Sequence, residues 1–221
     1  MQSLDYLEEI HGDNPDAAII WLHGLGADGY DFQSIVKQLN LPRDLSIHFV
    51  FPHAPVQAVT INQGMSMNAW YDILELSLEA KEDKAGINSS MQALESLVKS
   101  KFAHIAPNRI ILAGFSQGGA LALHTLLHGS VPIGGVIALS TYLPLRLSAQ
   151  DAKKDRVIGQ DIFMAHGTHD EVLPIDIGDL ARRILLALGA KLTWHAYPMA
   201  HQLCNDQILD IRSWIINKLA D

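Results

Sequence analysis

Six short apolar runs, each closed by turn residues, set the main limit on how this chain folds. They span residues 17–22 before His-Gly, 47–51 before Pro-His-Ala-Pro, 109–113, 135–140, 162–165 before His-Gly, and 192–197 before Pro. Runs this short, rich in Ile, Val and Phe, read as strands covered on both faces. Helical periods separate them. Ile87, Met91, Leu94 and Val98 mark one stripe, and Ile177, Leu180, Ile184, Leu185 and Leu188 a second. Gly189 follows the second, where a left-handed helix stop is expected. Ile208, Ile211, Ile215 and Leu219 mark a third stripe near the end. Strands alternating with helices make βαβ units, so the expected class is α/β with a mostly parallel sheet flanked by helices on both faces.

The fold leaves one polar group in a telling place. Between the run 109–113 and a small-residue stretch suited to a helix stands Gly114-Phe-Ser116-Gln-Gly118. A G-x-S-x-G pattern turns up by chance in roughly one chain in fifteen of this length, so the flanking strand and helix carry the weight. A serine at a sharp strand-to-helix turn is thrust beyond the carboxyl end of the sheet, and only glycine fits two positions either side. The following helix start offers unpaired N–H groups and a positive dipole end to a developing negative charge. Ser116 is therefore the candidate nucleophile.

A serine hydroxyl needs a base, and the base an orienting carboxylate, in the chain order Ser, acid, His. Asp170 lies directly beyond the run 162–165, whereas Asp161 precedes that run and Asp176 and Asp179 fall on the helix after it. Asp170 is the candidate acid. Only His195 and His201 follow it. His195 lies within a strand, so His201, in the loop before the terminal helix, is the preferred base. His166 and His169 flank the acid as hydrogen-bond partners or as exposed groups. For the oxyanion, one donor is the backbone N–H of Gln117. The second is expected from the early loop His23-Gly24-Leu25-Gly26, with Leu25 preferred over Gly26.

Composition narrows the alternatives. Sixteen basic against twenty-four acidic residues leave a formal charge of −8, which disfavours nucleic acid and anionic membrane surfaces. No apolar run reaches the roughly 18 residues of a membrane span, and the first residues carry no basic-then-apolar signal. One cysteine, Cys204, forms no internal disulfide, which fits a reducing compartment with the cytoplasm as default. With no linker or repeat, residues 1–221 are expected to form one domain. No metal or cofactor is expected.

In combination, "LHGLGADGYDF", "AVTINQGMSMNAWYDI", "GFSQGGALAL", "HGTHDEVLP" and the histidine before the terminal helix resemble the acyl-protein thioesterase and bacterial carboxylesterase family of α/β-hydrolases. The resemblance implies Ser116, Asp170 and His201 as triad, Leu25 and Gln117 as oxyanion donors, and no cofactor. It implies hydrolysis of esters, thioesters or lysophospholipids with medium or long acyl chains, and dimers are associated with the group. The irregular stretch at about 52–86 resembles the family's excursion that walls the acyl site. Met65, Met67, Trp70 and Leu74, with Val172 from the acid loop, are candidates for a soft apolar groove. Against this, the same side chains could plug the core, the favoured expectation for Leu74, Leu76 and Leu78. Two departures stand out. Ala200 replaces a glycine before the histidine, which strains the loop if that position needs positive φ. His53 replaces an arginine in Pro52-His53-Ala-Pro55. The competing functional class is a non-catalytic scaffold of the same fold acting as a binding module. A peptidase or lactonase ranks lower, since no gating domain accompanies the chain.

Overall fold

Helices cover both faces of the central sheet, which is why its inner strands carry unbroken apolar runs rather than alternation. The computed structural model describes residues 4–75, 81–146 and 154–220. In chain order the first elements are β1 (Tyr6–His11), β2 (Ala17–Leu22), α1 (Ile35–Leu39), β3 (Ile47–Pro52), β4 (Val56–Val59) and β5 (Met65–Asn68). Then come α2 (Lys84–Lys101), β6 (Ile110–Phe115), α3 (Gln117–His128), β7 (Gly135–Leu139) and α4 (Lys154–Val157). The chain closes with β8 (Asp161–Gly167), α5 (Ile175–Ala187), β9 (Lys191–Tyr197) and α6 (Asn205–Leu219).

Among the described residues, seven strands form one sheet in the order β1-β3-β2-β6-β7-β8-β9. All neighbours run parallel except β1, which lies antiparallel along β3. This is the α/β-hydrolase fold. Alternate residues of β2 serve two cores. Ala18, Ile20 and Leu22 face the layer holding the apolar stripes of α2, α3 and α5. Ala17, Ile19 and Trp21 face the layer of α1 and α6.

The topology fixes where a site can form. From β2 the chain crosses to β3 on one side, and later returns as β6 on the other side of β2. Loops leaving the carboxyl ends of β2 and β6 therefore diverge, and a crevice opens between them. Ser116 follows β6 and His23 follows β2.

Several features depart from the expected element list, among them the short helices α1 and α4. β1 is an edge strand whose residues alternate between exposed and half-buried, with Glu8 and Glu9 on it; edge strands often carry such charge. Its apolar signal is too weak to stand out. The excursion at 52–86 contains a β4–β5 hairpin, turned through left-handed Gln63 (φ 59°) and Gly64 (φ 77°). Leu76 and Leu78 lie outside the described residues. Gly189 has φ 93°, the expected left-handed stop after α5. Among the described residues no helix is long and apolar enough to cross a membrane.

Candidate active site

The turn after β6 is built on two glycines that tolerate no side chain. A Cβ on Gly114 would stand 2.4 Å from the backbone of Gly118, and one on Gly118 would stand 2.3 Å from Leu22 O. Between them Ser116 takes φ 52° and ψ −119°, a left-handed conformation that costs an L residue on the order of 1–3 kcal/mol. Neighbours hold it there: its N–H donates to Leu139 O (2.9 Å), and Thr141 Oγ1 donates to its carbonyl (2.6 Å).

Gln117 opens α3, so its N–H has no partner within the helix. Its buried side chain ties the excursion to the turn. Oε1 accepts from Trp70 N (2.9 Å) and Nε2 donates to Tyr71 O (2.8 Å).

The loop after β2 comes up against this turn: a Cβ on Gly24 would stand 3.5 Å from Ser116 Cβ. His23, 1% exposed, braces the loop. Its Nε2 accepts from Ala54 N (3.0 Å), so Nδ1 carries the proton and donates to Gly24 O (2.7 Å). Burial lowers its pKa, in keeping with a neutral ring. The Trp70 indole N–H donates to His23 O (2.9 Å). Gly26, at φ 79°, spends its N–H on Asn68 O (2.8 Å).

Beyond β8, the Asp170 carboxylate is fully buried. Oδ1 accepts from Val172 N (3.0 Å) and Leu173 N (2.8 Å), while Oδ2 accepts from His201 Nδ1 (2.7 Å). His166 Nε2 donates to Leu173 O (2.8 Å) and lies 3.5 Å from Asp170 Oδ2. Burial lowers the His166 pKa. Gly178 on α5 makes room for that ring, since a Cβ there would stand 2.4 Å from Nδ1. The His201 ring packs on Phe115, the residue before Ser116, with centroids 4.7 Å apart. Serine turn, imidazole and carboxylate thus gather at one end of the sheet.

The other acidic and imidazole candidates lie elsewhere. His195 stacks on Phe163 (5.4 Å) and its Nδ1 sits 3.4 Å from Asp210. Asp161 pairs with Lys218 at 2.5 Å, and Asp176 and Asp179 belong to α5. His169 is exposed. Ala200 is not among the described non-glycine residues with positive φ, so alanine fits there without left-handed strain. His53 anchors its loop by accepting from Gly29 N (3.1 Å) instead of by charge.

The groove candidates separate. Leu74 and Val172 line a cavity of about 170 Å³ with Tyr71, Ile73, Tyr142 and Leu173. Leu74, 39% exposed, is therefore wall and not core. Trp70, at 1% exposed, is the opposite case, because its indole is held by His23, with ring centroids 5.2 Å apart and the N–H on His23 O. Met65, 63% exposed, stands on the hairpin away from that cavity. Met67 packs near Gly26, its Sδ 3.7 Å from where a Cβ would stand. The Tyr71–Tyr142 hydroxyl pair (2.8 Å), Thr141 and the Gln117 side chain had no local sequence signal, since each acts through contacts distant in the chain.

His124 and His128 on α3 have the H-x-x-x-H spacing of a metal-binding helix, their ring centroids 4.6 Å apart. Among the described residues, however, no group of three or more metal-ligating side chains gathers.

The phospholipase/carboxylesterase family model matches residues 9–219. Acyl-protein thioesterase 1 of Mycosarcoma maydis is 37% identical over 92% of each chain. The protein of that name from Yarrowia lipolytica is 37% identical over 90% of each. Among solved structures, Arabidopsis thaliana SOBER1 superposes with a TM-score of 0.85 at 28% identity, covering 92% of this chain and 99% of that one. Zea mays acyl-protein thioesterase 2 gives 0.87 at 24% identity over 96% and 99%, a likeness of fold. A match over nearly the whole chain, on a fold and a site of this design, places the protein in the phospholipase/carboxylesterase family of α/β-hydrolases.

Proposed function

We propose that the protein cleaves carboxylic esters or thioesters of medium to long acyl chains through an acyl-Ser116 intermediate. Family membership makes it a carboxylic ester hydrolase; the assignment of residues below goes further. The observation that carries it is the 2.7 Å bond from His201 Nδ1 to Asp170, on a ring packed against the residue preceding a strained serine.

With Nδ1–H held by Asp170, His201 presents Nε2 as base. Ser116 Oγ attacks the acyl carbonyl carbon and its proton passes to Nε2. The carbonyl oxygen takes the negative charge and accepts from the N–H of Gln117 and of Leu25. Leu25 is favoured over Gly26 because the Gly26 amide is already engaged. Collapse expels the alkoxide or thiolate, which leaves with the proton from Nε2, and the acyl group stays on Ser116. Water then loses a proton to Nε2 as it attacks, the acid departs, and the proton returns to Ser116 Oγ. The acyl chain is assigned to the apolar cavity walled by Leu74, Tyr142, Val172 and Leu173. No step calls for a cofactor. A cytoplasmic setting, which rests on the lone cysteine Cys204, and a homodimer, which rests on the family resemblance, belong to the same proposal.

Purified protein given octanoyl esters and thioesters should hydrolyse them, and Ser116→Ala should lose at least about a thousandfold in kcat/KM. Hydrolysis surviving in that variant would overturn the assignment. No hydrolysis of any acyl ester by the wild type would favour a binding scaffold.

A further inference from the structure

Two cavities flank the Asp170–His201 pair, and their chemistry differs. The cavity of about 170 Å³ past Asp170 has mostly apolar walls, with Asp72, Glu75, Lys81, Glu82 and Arg146 also on its lining, and does not include His201. The second, of about 360 Å³, lies between the 3₁₀ turn Gly29–Phe32 with α1 on one side and the start of α6 on the other. His201 and Phe115 form part of its wall, together with Phe32, Ile35, Leu203 and Ile208. Asp31, Ser34, Gln38, Gln202 and Asn205 supply polar groups to it, all of them exposed. No Lys or Arg lines it among the described residues.

We propose that this polar cavity receives the leaving group, and that it selects neutral or cationic alcohol and thiol portions over anionic ones. The inference rests on the reading of His201 as the proton donor to the departing atom. That atom must come within hydrogen-bond reach of Nε2, because Nδ1 is taken by Asp170 at 2.7 Å. The rest of the leaving group then extends into the cavity that the ring itself lines. An acyl chain gains most against the longer apolar wall of Leu74, Tyr142, Val172, Leu173 and Ile177 in the other cavity. A hydroxyl-rich or ammonium-bearing group finds acceptors and one carboxylate in the polar cavity. A phosphate or carboxylate there meets Asp31 with no lining cation to offset it, in the field of a chain of formal charge −8.

The test compares three octanoate esters, of choline, glycerol and 3-hydroxypropanoate, in the wild type and in Asp31→Lys and Gln38→Lys. The measure is the ratio of kcat/KM for the choline ester to that for the 3-hydroxypropanoate ester, so that general losses in a variant cancel. Both variants should shift this ratio toward the anionic ester, Asp31→Lys by roughly tenfold at low salt and less at high salt. A ratio within twofold of wild type in both variants, with all three esters hydrolysed, overturns this inference alone. A wild type that hydrolyses none of them overturns the hydrolase reading as well.

Discussion

Ser116 occupies a backbone region that an L residue enters only under constraint, and the constraint is visible atom by atom. Leu139 O and Thr141 Oγ1 grip the peptide on either side of it, so the strain is paid for by neighbours and not relieved. His23 and His166 are held in defined tautomers by backbone partners, and burial lowers the pKa of each. His124 takes this furthest. Burial, with His128 beside it, pushes its pKa from 6.5 down to about 4, and its buried Nδ1 has no hydrogen-bond partner among the described residues. The unfolded chain therefore binds more protons there between about pH 4 and 6.5, and stability falls as pH falls through that window. Urea unfolding at pH 7 and pH 4.5 should show the wild type losing about 2 kcal/mol more than His124→Gln. Equal losses in the two proteins would contradict this account of His124.

At the scale of elements, the junction of β6 and α3 depends on contact between backbones. Gly118 touches Leu22 O so closely that a methyl group at 2.3 Å forces β2 or α3 to move. Gly118→Ala should lower stability by about 2 kcal/mol or more in urea unfolding with an unchanged m-value. It should also reduce hydrolysis, because Leu22 leads directly into the His23 loop. An alanine variant as stable as wild type would mean that the two elements are not in register as described. These glycines were legible from the sequence because a G-x-S-x-G turn has a steric cause. β2 was legible to the residue, since burial on both faces leaves an unbroken apolar run. β1 was not, because an edge strand carries charge and half-exposed side chains. Nor was the β4–β5 hairpin, whose exposed Val56 and Met65 follow no apolar stripe.

Across the whole molecule, the reversal of strand order at β2 and β6 sets the crevice in which the loops after β2, β6, β8 and β9 meet. That much follows from strands, turns and the order Ser116, Asp170, His201. The walls of the two cavities do not follow from the sequence. Leu74 and Trp70 are both large apolar residues of one excursion, yet one lines a cavity and the other is locked beneath His23; only tertiary contacts separate them. The central claim is that three side chains distant in the chain act as one unit, and the rate of fluorophosphonate labelling measures this most directly. Intact-mass kinetics with peptide mapping should find one adduct, on Ser116, forming at least about a hundredfold more slowly in His201→Ala and in Asp170→Asn. An adduct on another residue, or equal labelling rates in wild type and His201→Ala, would contradict it.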